Sequence, residues 1–183
     1  LPCGVIGTLG VGRLNNLQSS GMTTPDPVSL QAALADLCQQ AIKYVVIEAS
    51  SHALEQGRIN SVDVDVSVLT NLSRDHLDYH QDMTNYAAAK QRLFEMDNVK
   101  TAVINGDDDF GQLLLTRLKA KNRLTLMSYS SLGQDVTTLQ AQTVHATADG
   151  LSFKLVTESS SSNIQSSLLG RFNVDNLLAT AAS

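Results

Sequence analysis

The chain has 183 residues, and its 13 Lys and Arg against 18 Asp and Glu give a formal net charge of −5. A chain of this length forms one domain or little more and can bury a core without disulfides. The acidic balance argues against non-specific nucleic-acid binding, and no apolar run approaches the roughly 20 residues of a membrane span. We therefore expect a globular protein that binds neither nucleic acid nor membranes.

The cysteines and the first residues indicate the compartment. Cys3 and Cys38 lie among apolar residues. We expect two buried thiols in a reducing cytoplasm rather than one disulfide. The first four residues lack a basic region, so they do not predict a signal peptide.

Segments typical of strands and helices alternate along most of the chain. Predicted strands cover residues 4–9, 44–48, 64–70, 101–105 and 124–129. A helix is predicted to begin at Asp26-Pro27, which supplies a capping carboxylate and a proline in the first turn. Its apolar residues are Leu30, Ala33, Leu34, Leu37 and Ala41. Two further helices are predicted, one capped by Thr84 and one over residues 110–119.

The predicted strands are continuously apolar, which favours a parallel sheet that helices cover on both faces. Ligands of such sheets bind beyond the carboxyl ends of the strands. Polar residues follow three of the predicted strands, at Glu48 with residues 50–52, at residues 71–80 and at residues 105–109. We expect the functional residues there.

The pattern changes after about Gly133. Predicted strands at residues 136–146 and 151–157 flank Asp149-Gly150, which is a hairpin signal, and residues 164–169 add a third strand after a polar loop at 159–162. A last helix begins at Asn173. The sequence thus predicts an α/β fold, with a mostly parallel sheet and a small antiparallel extension at about residues 134–170 of a single domain over 1–183.

Several residues could carry chemistry, and each has a plainer interpretation. Residues 71–80 contain Asp75, His76, Asp78 and His80, which could hold a divalent metal or simply form a polar turn with a solvated His80. His76 and His80 would share a face if the segment were helical. Asp75 and Asp78 could equally cap the next helix. Glu48 suits Mg²⁺, but it could also cap a helix or form an ion pair.

Three other features are weaker signals. Lys90 lies among alanines in a predicted helix, where a lysine is most often solvated. Ser51 and His52 are adjacent without a nucleophile elbow, so a serine hydrolase is improbable. The glycines at positions 4, 7, 10 and 12 permit tight turns, but they lack the Gly-Lys-Ser/Thr ending of a phosphate loop.

Together these segments resemble the central, P-loop-NTPase-like domain of the Mur ligases, the ATP-dependent amide-forming enzymes of peptidoglycan synthesis. The resemblance covers nearly the whole chain. It is most similar to the MurE type, which adds the third amino acid, although other Mur ligases and the folate-adding relatives stay open. The stretches that carry it are residues 7–10, 23–25, 48–52, 56–58, 70–80, 86–90, 105–108 and 170–176.

The resemblance implies a role for particular residues. Glu48 matches a ligand of a first Mg²⁺, His76 matches the ligand of a second, and Lys90 matches a lysine that captures CO₂ as a carbamate. The positions that match substrate contacts are Thr23, Thr24, Ser50, Gln56 and Arg58. Those that match nucleotide contacts are Asn71, Asn173 and Asn176.

The resemblance also implies the reaction. ATP phosphorylates the D-glutamate carboxylate of a UDP-muramoyl-dipeptide, and the amine of diaminopimelate or lysine then attacks the acyl phosphate. The family's phosphate loop, N-terminal domain and C-terminal domain have no counterpart here. We therefore expect part of a cytoplasmic bacterial enzyme that does not ligate without those flanking domains.

Two alternatives come from other functional classes. The residues alone also fit a metal-dependent phosphoester hydrolase that uses His76, His80, Asp75 and Asp78. A non-catalytic binding module that keeps the Mur shape is the other. The presence of Glu48, His76 and Lys90 together argues against the binding module, because a module without chemistry needs none of them.

Overall fold

The computed structural model describes residues 2–133 and 138–183, so the start of the strand predicted from Val136 lies outside the described residues. The chain divides into two compact units. Unit 1 comprises Leu1–Asp63 and His76–Met96, and unit 2 comprises Val64–Asp75 and Asp97–Ser183. None of the helices in the described part of the chain is long and apolar enough to cross a membrane.

Unit 1 contains a four-stranded sheet in the order β3-β2-β1-β4. Its strands are β1 (Cys3–Gly7), β2 (Gly10–Arg13), β3 (Asn16–Gln18) and β4 (Tyr44–Ile47). β1 is parallel to β4, whereas β2 and β3 form antiparallel hairpins that the sequence analysis did not predict. Gly10 permits the first hairpin, because its φ is +130° and a Cβ there would lie 2.8 Å from the carbonyl oxygen of Gln18.

The helices of unit 1 begin at polar caps. They are α1 (Pro27–Gln39), α2 (Ser51–Glu55), α3 (Leu77–His80) and α4 (Met83–Glu95). The predicted start of α1 is confirmed, because the Asp26 carboxylate accepts the backbone N–H groups of Val28 and Ser29. The predicted cap of α4 is wrong by two residues. Asp82 rather than Thr84 caps this helix, and it accepts the Asn85 N–H at 2.8 Å.

Three expectations about burial in unit 1 are wrong. Cys38 is exposed, because it follows the buried Leu37 on the outer side of α1. Cys3 is only half-buried, and both thiols are free. Ala41 lies beyond the end of α1 and is exposed. Tyr44 and Val46 are more than half exposed, so β4 is not covered on both faces within this chain.

Unit 2 contains a six-stranded sheet in the order β10-β9-β8-β7-β6-β5. Its strands are β5 (Val66–Leu69), β6 (Thr101–Asn105), β7 (Thr125–Ser130), β8 (Leu139–Thr147), β9 (Gly150–Thr157) and β10 (Ser161–Ser166). The pairs from β5 to β8 are parallel, and those from β8 to β10 are antiparallel. This confirms the predicted α/β class with its antiparallel extension, although Ser161 and Ser162 of the predicted loop at residues 159–162 already belong to β10.

Two helices pack on the sheet of unit 2, namely α5 (Asp109–Lys121) and α6 (Phe172–Ala182). The Asp108 carboxylate caps α5 by accepting the Gly111 N–H at 2.9 Å. α6 packs on β6, β7 and β8. The core is made of apolar side chains from the sheet and from α6, among them Val103, Tyr129, Phe153, Val174 and Leu178.

Candidate functional site

The residues predicted to bind substrate form one hydrogen-bonded network in unit 1. The buried Thr24 hydroxyl donates to the carbonyl of Glu48 at 2.6 Å and accepts the backbone N–H of Ser50 at 3.0 Å. Arg58 donates to the carbonyl of Thr24 and to the side-chain oxygen of Gln56, both at 2.8 Å. The segment before α1 and the segment around α2 are therefore held together by the residues that the sequence analysis selected.

Three further contacts extend this network. The Thr23 hydroxyl lies 3.0 Å from that of Thr8, immediately after β1. Ser50 caps α2 by accepting the backbone N–H of Ala53. The Gln56 amide donates to the hydroxyl of Tyr79 at 3.0 Å, which connects the network to α3.

Glu48 is exposed directly after β4, where the sequence analysis placed it. Its carboxylate accepts the backbone N–H of Thr8 at 2.8 Å. Gly7 makes this approach feasible, because a Cβ at that position would lie only 2.9 Å from the carboxylate oxygen. The carboxylate is thus fixed at the carboxyl ends of the parallel strands β1 and β4. The bond from Thr8 uses Oε2 and does not involve Oε1.

His76 and Lys90 contact the same aromatic ring. The ring of His76 meets Tyr86 edge-on at a centroid distance of 5.8 Å. The Nζ of Lys90 lies 5.3 Å from the Tyr86 centroid, within the range of a cation–π interaction. Tyr86 and Lys90 are one turn apart on α4. The structure therefore brings together two of the three residues assigned to metal binding.

His52 lies at the centre of an aromatic cluster, which also contains His76, Tyr79 and His80. The centroid of its ring is 4.0 Å from that of Tyr79, and 5.3 and 5.4 Å from those of His76 and His80. Burial, reinforced by the two neighbouring imidazoles, lowers the pKa of His52 below its usual value. Its imidazole is therefore mainly neutral at pH 7.

His80 differs from the expectation of a solvated side chain, because it is only 3% exposed. His76 and His80 would share a face only if the whole segment were helical, and this condition is not met. His76 precedes α3 in a left-handed conformation, with φ 55° and ψ 24°. Among residues 2–133 and 138–183, no three His, Cys, Asp or Glu side chains are grouped to hold a metal ion.

The asparagines predicted to bind nucleotide lie in unit 2. The Asn176 amide donates to the side-chain oxygen of Asn173 at 3.0 Å, and Asn173 donates to the carbonyl of Leu169 at 2.8 Å. Asn71 is exposed after the carboxyl end of β5. The pair on α6 is therefore in direct contact, as its three-residue spacing on a helix allows.

The acidic residues after β6 mostly serve the fold of unit 2. The Asp107 carboxylate accepts the hydroxyl of Ser130 at 2.6 Å and the backbone N–H groups of Ser131 and Leu132 at 2.7 and 3.1 Å. Asp108 caps α5 and also accepts the N–H of Leu72 at 2.9 Å. These carboxylates hold the strand ends in place.

Burial perturbs two groups nearby in unit 2. It raises the pKa of the Tyr129 hydroxyl well above its ordinary value, so this group stays protonated and lies 3.3 Å from the Leu69 carbonyl. Burial also raises the pKa of Asp175, and the charge of Asp107 adds to the effect. One oxygen of the Asp175 carboxylate is buried and has no hydrogen-bond partner among the described residues.

Several residues of the candidate site were not predicted from the sequence. Tyr86 entered the prediction only as part of the stretch 86–90, although its position one turn before Lys90 could have indicated contact with that side chain. Thr8 was missed because the predicted strand at residues 4–9 included it, whereas β1 ends at Gly7. The buried contacts of His80 with Ser51 and Glu55 join α3 to α2, and no spacing in the sequence signals them.

The chain was compared with known proteins and structures. The family described as Mur ligase middle domain matches residues 1–183. The UDP-N-acetylmuramoyl-L-alanyl-D-glutamate–2,6-diaminopimelate ligase of Pseudomonas syringae pv. tomato is 48% identical over 181 residues, or 99% of this chain. The ligase of the same name from Coxiella burnetii is 43% identical over 97% of the chain.

A solved structure of a ligase with this name matches with a TM-score of 0.90 and 41% identity, and the match covers 99% of this chain and 37% of that one. The chain spans 36% of the length of each of the two curated relatives. The similarity therefore concerns one continuous part of those enzymes.

Proposed function

Because the chain belongs to the Mur ligase middle domain family, we propose that it forms the central part of a ligase that adds 2,6-diaminopimelate to UDP-N-acetylmuramoyl-L-alanyl-D-glutamate at the expense of ATP. The names of the relatives support diaminopimelate over lysine, the choice that the sequence analysis left open. The proposal includes a single central domain over residues 1–183, with an antiparallel subregion at about 134–170. It also includes flanking domains of the same enzyme and a bacterial cytoplasmic location.

One observation carries the proposal from the structural side. His76 and Lys90, which the resemblance assigns to metal binding, contact the same Tyr86 ring although 14 positions separate them in the sequence. Two chemically different side chains are thus gathered on one aromatic support. A solvated lysine and a histidine in a plain polar turn would not require this arrangement.

The donor atoms fit Mg²⁺ only if the substrates and a modified lysine contribute. Magnesium usually binds one or two carboxylates together with substrate phosphates and water, rather than a cage made of protein alone. Glu48 offers carboxylate oxygens, and His76 offers one imidazole nitrogen. Bound Mg²⁺ would neutralise the charge that develops on the phosphates during transfer.

We propose that Lys90 supplies the remaining oxygen ligands as a carbamate. Its neutral amine attacks the carbon of CO₂, forms an N–C bond and loses a proton to solvent, which leaves one negative charge on two oxygens. A cation would repel Mg²⁺, whereas a carbamate is the kind of hard oxygen ligand that this ion prefers. Lys90 is half-buried on α4, and this partial burial would limit hydrolysis of the carbamate by water.

The polar network of unit 1 is proposed to hold the UDP-muramoyl-dipeptide. Arg58 keeps its charge at any relevant pH and suits an anionic substrate. Thr23, Thr24, Ser50 and Gln56 offer hydroxyl and amide groups that the network already orients. In unit 2, the nucleotide is assigned to Asn71, Asn173 and Asn176, since amides can both donate to and accept from an adenine edge.

The proposed reaction forms the amide in two steps. A carboxylate oxygen of the D-glutamate residue attacks the γ-phosphorus of ATP, and the bond to the β-bridging oxygen breaks, which gives an acyl phosphate and ADP. The amine of diaminopimelate then attacks the acyl carbon, loses a proton and expels inorganic phosphate. The role of this chain is to bind and orient the reactants, which accounts for most of the catalysis of phosphoryl transfer.

The test uses the complete polypeptide that contains these 183 residues. It is incubated with the UDP-muramoyl-dipeptide, ATP, Mg²⁺ and either diaminopimelate or L-lysine, and the tripeptide product and phosphate are measured. We expect one phosphate per product, and a strong preference for diaminopimelate. Omission of any substrate is the control.

The outcomes separate the alternatives. Phosphate release from a simple phosphoester without ATP would favour the hydrolase. Binding of the UDP-muramoyl-dipeptide without any turnover would favour the binding module. Product formed with L-lysine as readily as with diaminopimelate would overturn the assigned amino acid but not the ligase.

A further inference from the structure

His80 is the buried histidine of unit 1, and three side chains on two helices, α2 and α4, surround its ring. Its Nε2 lies 2.8 Å from the hydroxyl oxygen of Ser51 on α2. The carboxylate of Glu55, one turn further along α2, lies 3.0 Å from Nδ1. Nδ1 makes no hydrogen bond among the described residues, so the hydrogen bond of the ring is the one between Nε2 and the Ser51 hydroxyl. The ring also stacks on Tyr86 of α4, with a centroid distance of 5.1 Å and an interplanar angle of 18°.

Ser51, His80 and Glu55 contact one another in the order of a hydrolase triad, but the burial of Ser51 and His80 argues against hydrolysis. A nucleophilic hydroxyl must reach a carbonyl carbon of a substrate. The Ser51 residue is only 3% exposed and its hydroxyl points at a ring that is itself buried. The contacts therefore serve to hold the imidazole ring in place.

The short helix α3, which this ring anchors, is not stable on its own. α3 has four residues, and a single helical turn is unstable in isolation. His76 precedes it in a left-handed conformation, which costs a non-glycine residue about 1–2 kcal/mol. The His76 carbonyl accepts the N–H groups of Tyr79 and His80 at 3.2 and 3.0 Å. Contacts made by His80 at the other end of this turn therefore help to maintain the strained position of His76.

The ring of His80 also contacts Tyr86, the aromatic residue that Lys90 contacts. Tyr86 stacks on His80, meets His76 edge-on, and lies below the Nζ of Lys90. A displacement of His80 would thus act on His76 through the backbone of α3 and on Lys90 through Tyr86. Both of the proposed ligands would move.

We infer that His80, held by Ser51 and Glu55 and stacked on Tyr86, is a positioning residue that sets the placement of His76 relative to Lys90. The inference rests on the proposed function, because it concerns the ligands of that reaction. His80 does not contact the substrate in this role. It acts through the two residues that do the binding.

The test compares variants of the complete enzyme. His80→Ala removes all three contacts, Ser51→Ala removes one hydrogen bond, and His80→Gln keeps an amide near the position of Nε2 and so can rebuild the bond to Ser51. Loss of an outer partner of a metal ligand typically reduces metal affinity or activity about 10- to 100-fold. We expect such a loss in His80→Ala, a smaller one in Ser51→Ala, and partial recovery in His80→Gln.

Two measurements distinguish positioning from a general loss of stability. The first is binding of Mn²⁺, followed by the electron paramagnetic resonance signal of free Mn²⁺ in the presence of a non-hydrolysable ATP analogue. The second is the Mg²⁺ concentration for half-maximal rate, compared with the KM for the UDP-muramoyl-dipeptide. We expect both metal measures to weaken about 10-fold or more in His80→Ala, with a much smaller change in that KM.

Leu54→Ala is the matched control. Leu54 is buried on α2 and immediately precedes Glu55, so its truncation reduces stability by lost packing while the Ser51, Glu55 and Tyr86 side chains that His80 contacts are all kept. If His80→Ala alters metal binding no more than Leu54→Ala does at an equal loss of thermal stability, the positioning role is wrong. If the unmodified enzyme itself shows no ATP-dependent ligation, the proposed function fails, and this result is distinct from the first.

Discussion

The two units hold polar groups at the ends of their parallel strands in different ways. In unit 1 the supporting groups are hydroxyls, an amide and aromatic rings, with His80 as the buried anchor. In unit 2 they are carboxylates, and Asp107 alone accepts one hydroxyl and two backbone N–H groups. Glu48 and Lys90 of unit 1 remain exposed or half-buried, whereas the acidic groups of unit 2 are engaged in the fold.

This difference shows that an acidic residue at a strand end is not by itself a ligand. Glu48 and Asp107 follow comparable strands, and the sequence analysis treated both positions as candidates. The surroundings separate them. Glu48 accepts one backbone N–H from Thr8, and Asp107 closes a turn whose donors would otherwise be left unsatisfied. Variants in the two units should therefore differ in what they impair.

The largest effect is expected from Lys90→Met in unit 1. This change keeps the length and apolar stem of the side chain but removes the amine that would form a carbamate. We expect kcat of the complete enzyme to fall about 1,000-fold, the size of effect seen when a preorganised electrostatic group is lost. Added formate or acetate should restore part of the rate, because a small carboxylate can supply the missing oxygens.

Lys100→Met is the control for this prediction. Lys100 is exposed and pairs with Asp65 on the surface of unit 2, so its loss should change kcat less than about twofold. A ¹³C resonance of a carbamate, observed with labelled CO₂ in the unmodified protein and absent in Lys90→Met, would verify the modification directly. Undiminished ligation by Lys90→Met would rule out the carbamate.

A smaller effect, on stability rather than on metal binding, is expected from Asp107→Ala in unit 2. The change leaves the Ser130 hydroxyl and the Ser131 N–H without their acceptor, at a cost of about 2–3 kcal/mol, whereas the Leu132 N–H keeps its bond to the Ser130 hydroxyl oxygen. Hydrogen exchange of residues 131–133 in the complete protein should accelerate accordingly. Asp109→Ala, which removes an exposed carboxylate from the first turn of α5, should cost less than about 1 kcal/mol.

This prediction also tests the contrast between the units. If Asp107 serves the fold alone, the Mg²⁺ concentration for half-maximal rate should be unchanged in Asp107→Ala where the enzyme remains folded. A weakened Mg²⁺ dependence with normal exchange at residues 131–133 would make Asp107 a ligand-binding group and remove the distinction.

The sequence predicted most of the fold because its signals are local. The boundaries of β6 match the prediction, and the Asp26-Pro27 start of α1 is confirmed, since a strand of continuous apolar residues and a capped helix each follow from neighbouring residues. The hairpins after β1 were missed because glycines at positive φ resemble an irregular loop in the sequence. The cap of α4 was misplaced because Asp82 and Thr84 are both good caps.

The site was predictable only in part. The substrate network was selected by resemblance, and its residues do contact one another. The anchor of His76 was not predicted, because the contacts of His80 with Ser51 and Glu55 join residues 29 and 25 positions apart. Such contacts depend on how helices pack, and a helical spacing rule would have put His80 on the same face as His76.

The smallest expected effect is the pH dependence of Asp175 in unit 2. Burial raises the pKa of this carboxyl, so the folded chain holds the proton to a higher pH than the unfolded chain does. Stability from this group is therefore present below its unfolded pKa, near 4, and is lost as the pH rises through the folded value. Asp175→Asn stays neutral, so we expect it to stabilise unit 2 by about 0.5 kcal/mol at pH 7 and by less at pH 4.

Hydrogen exchange of the α6 amides measures this effect, and each variant is compared with the unmodified protein at the same pH. A gain of about 0.5 kcal/mol corresponds to roughly twofold slower exchange at pH 7. Faster exchange in Asp175→Asn at pH 7 would mean that the ionised carboxylate is stabilising, as Asp107 is. Asp175 would then join Asp107 and Asp108 as a carboxylate that supports the fold of unit 2 in its charged form, and the contrast with the hydroxyl-rich network of unit 1 would become sharper.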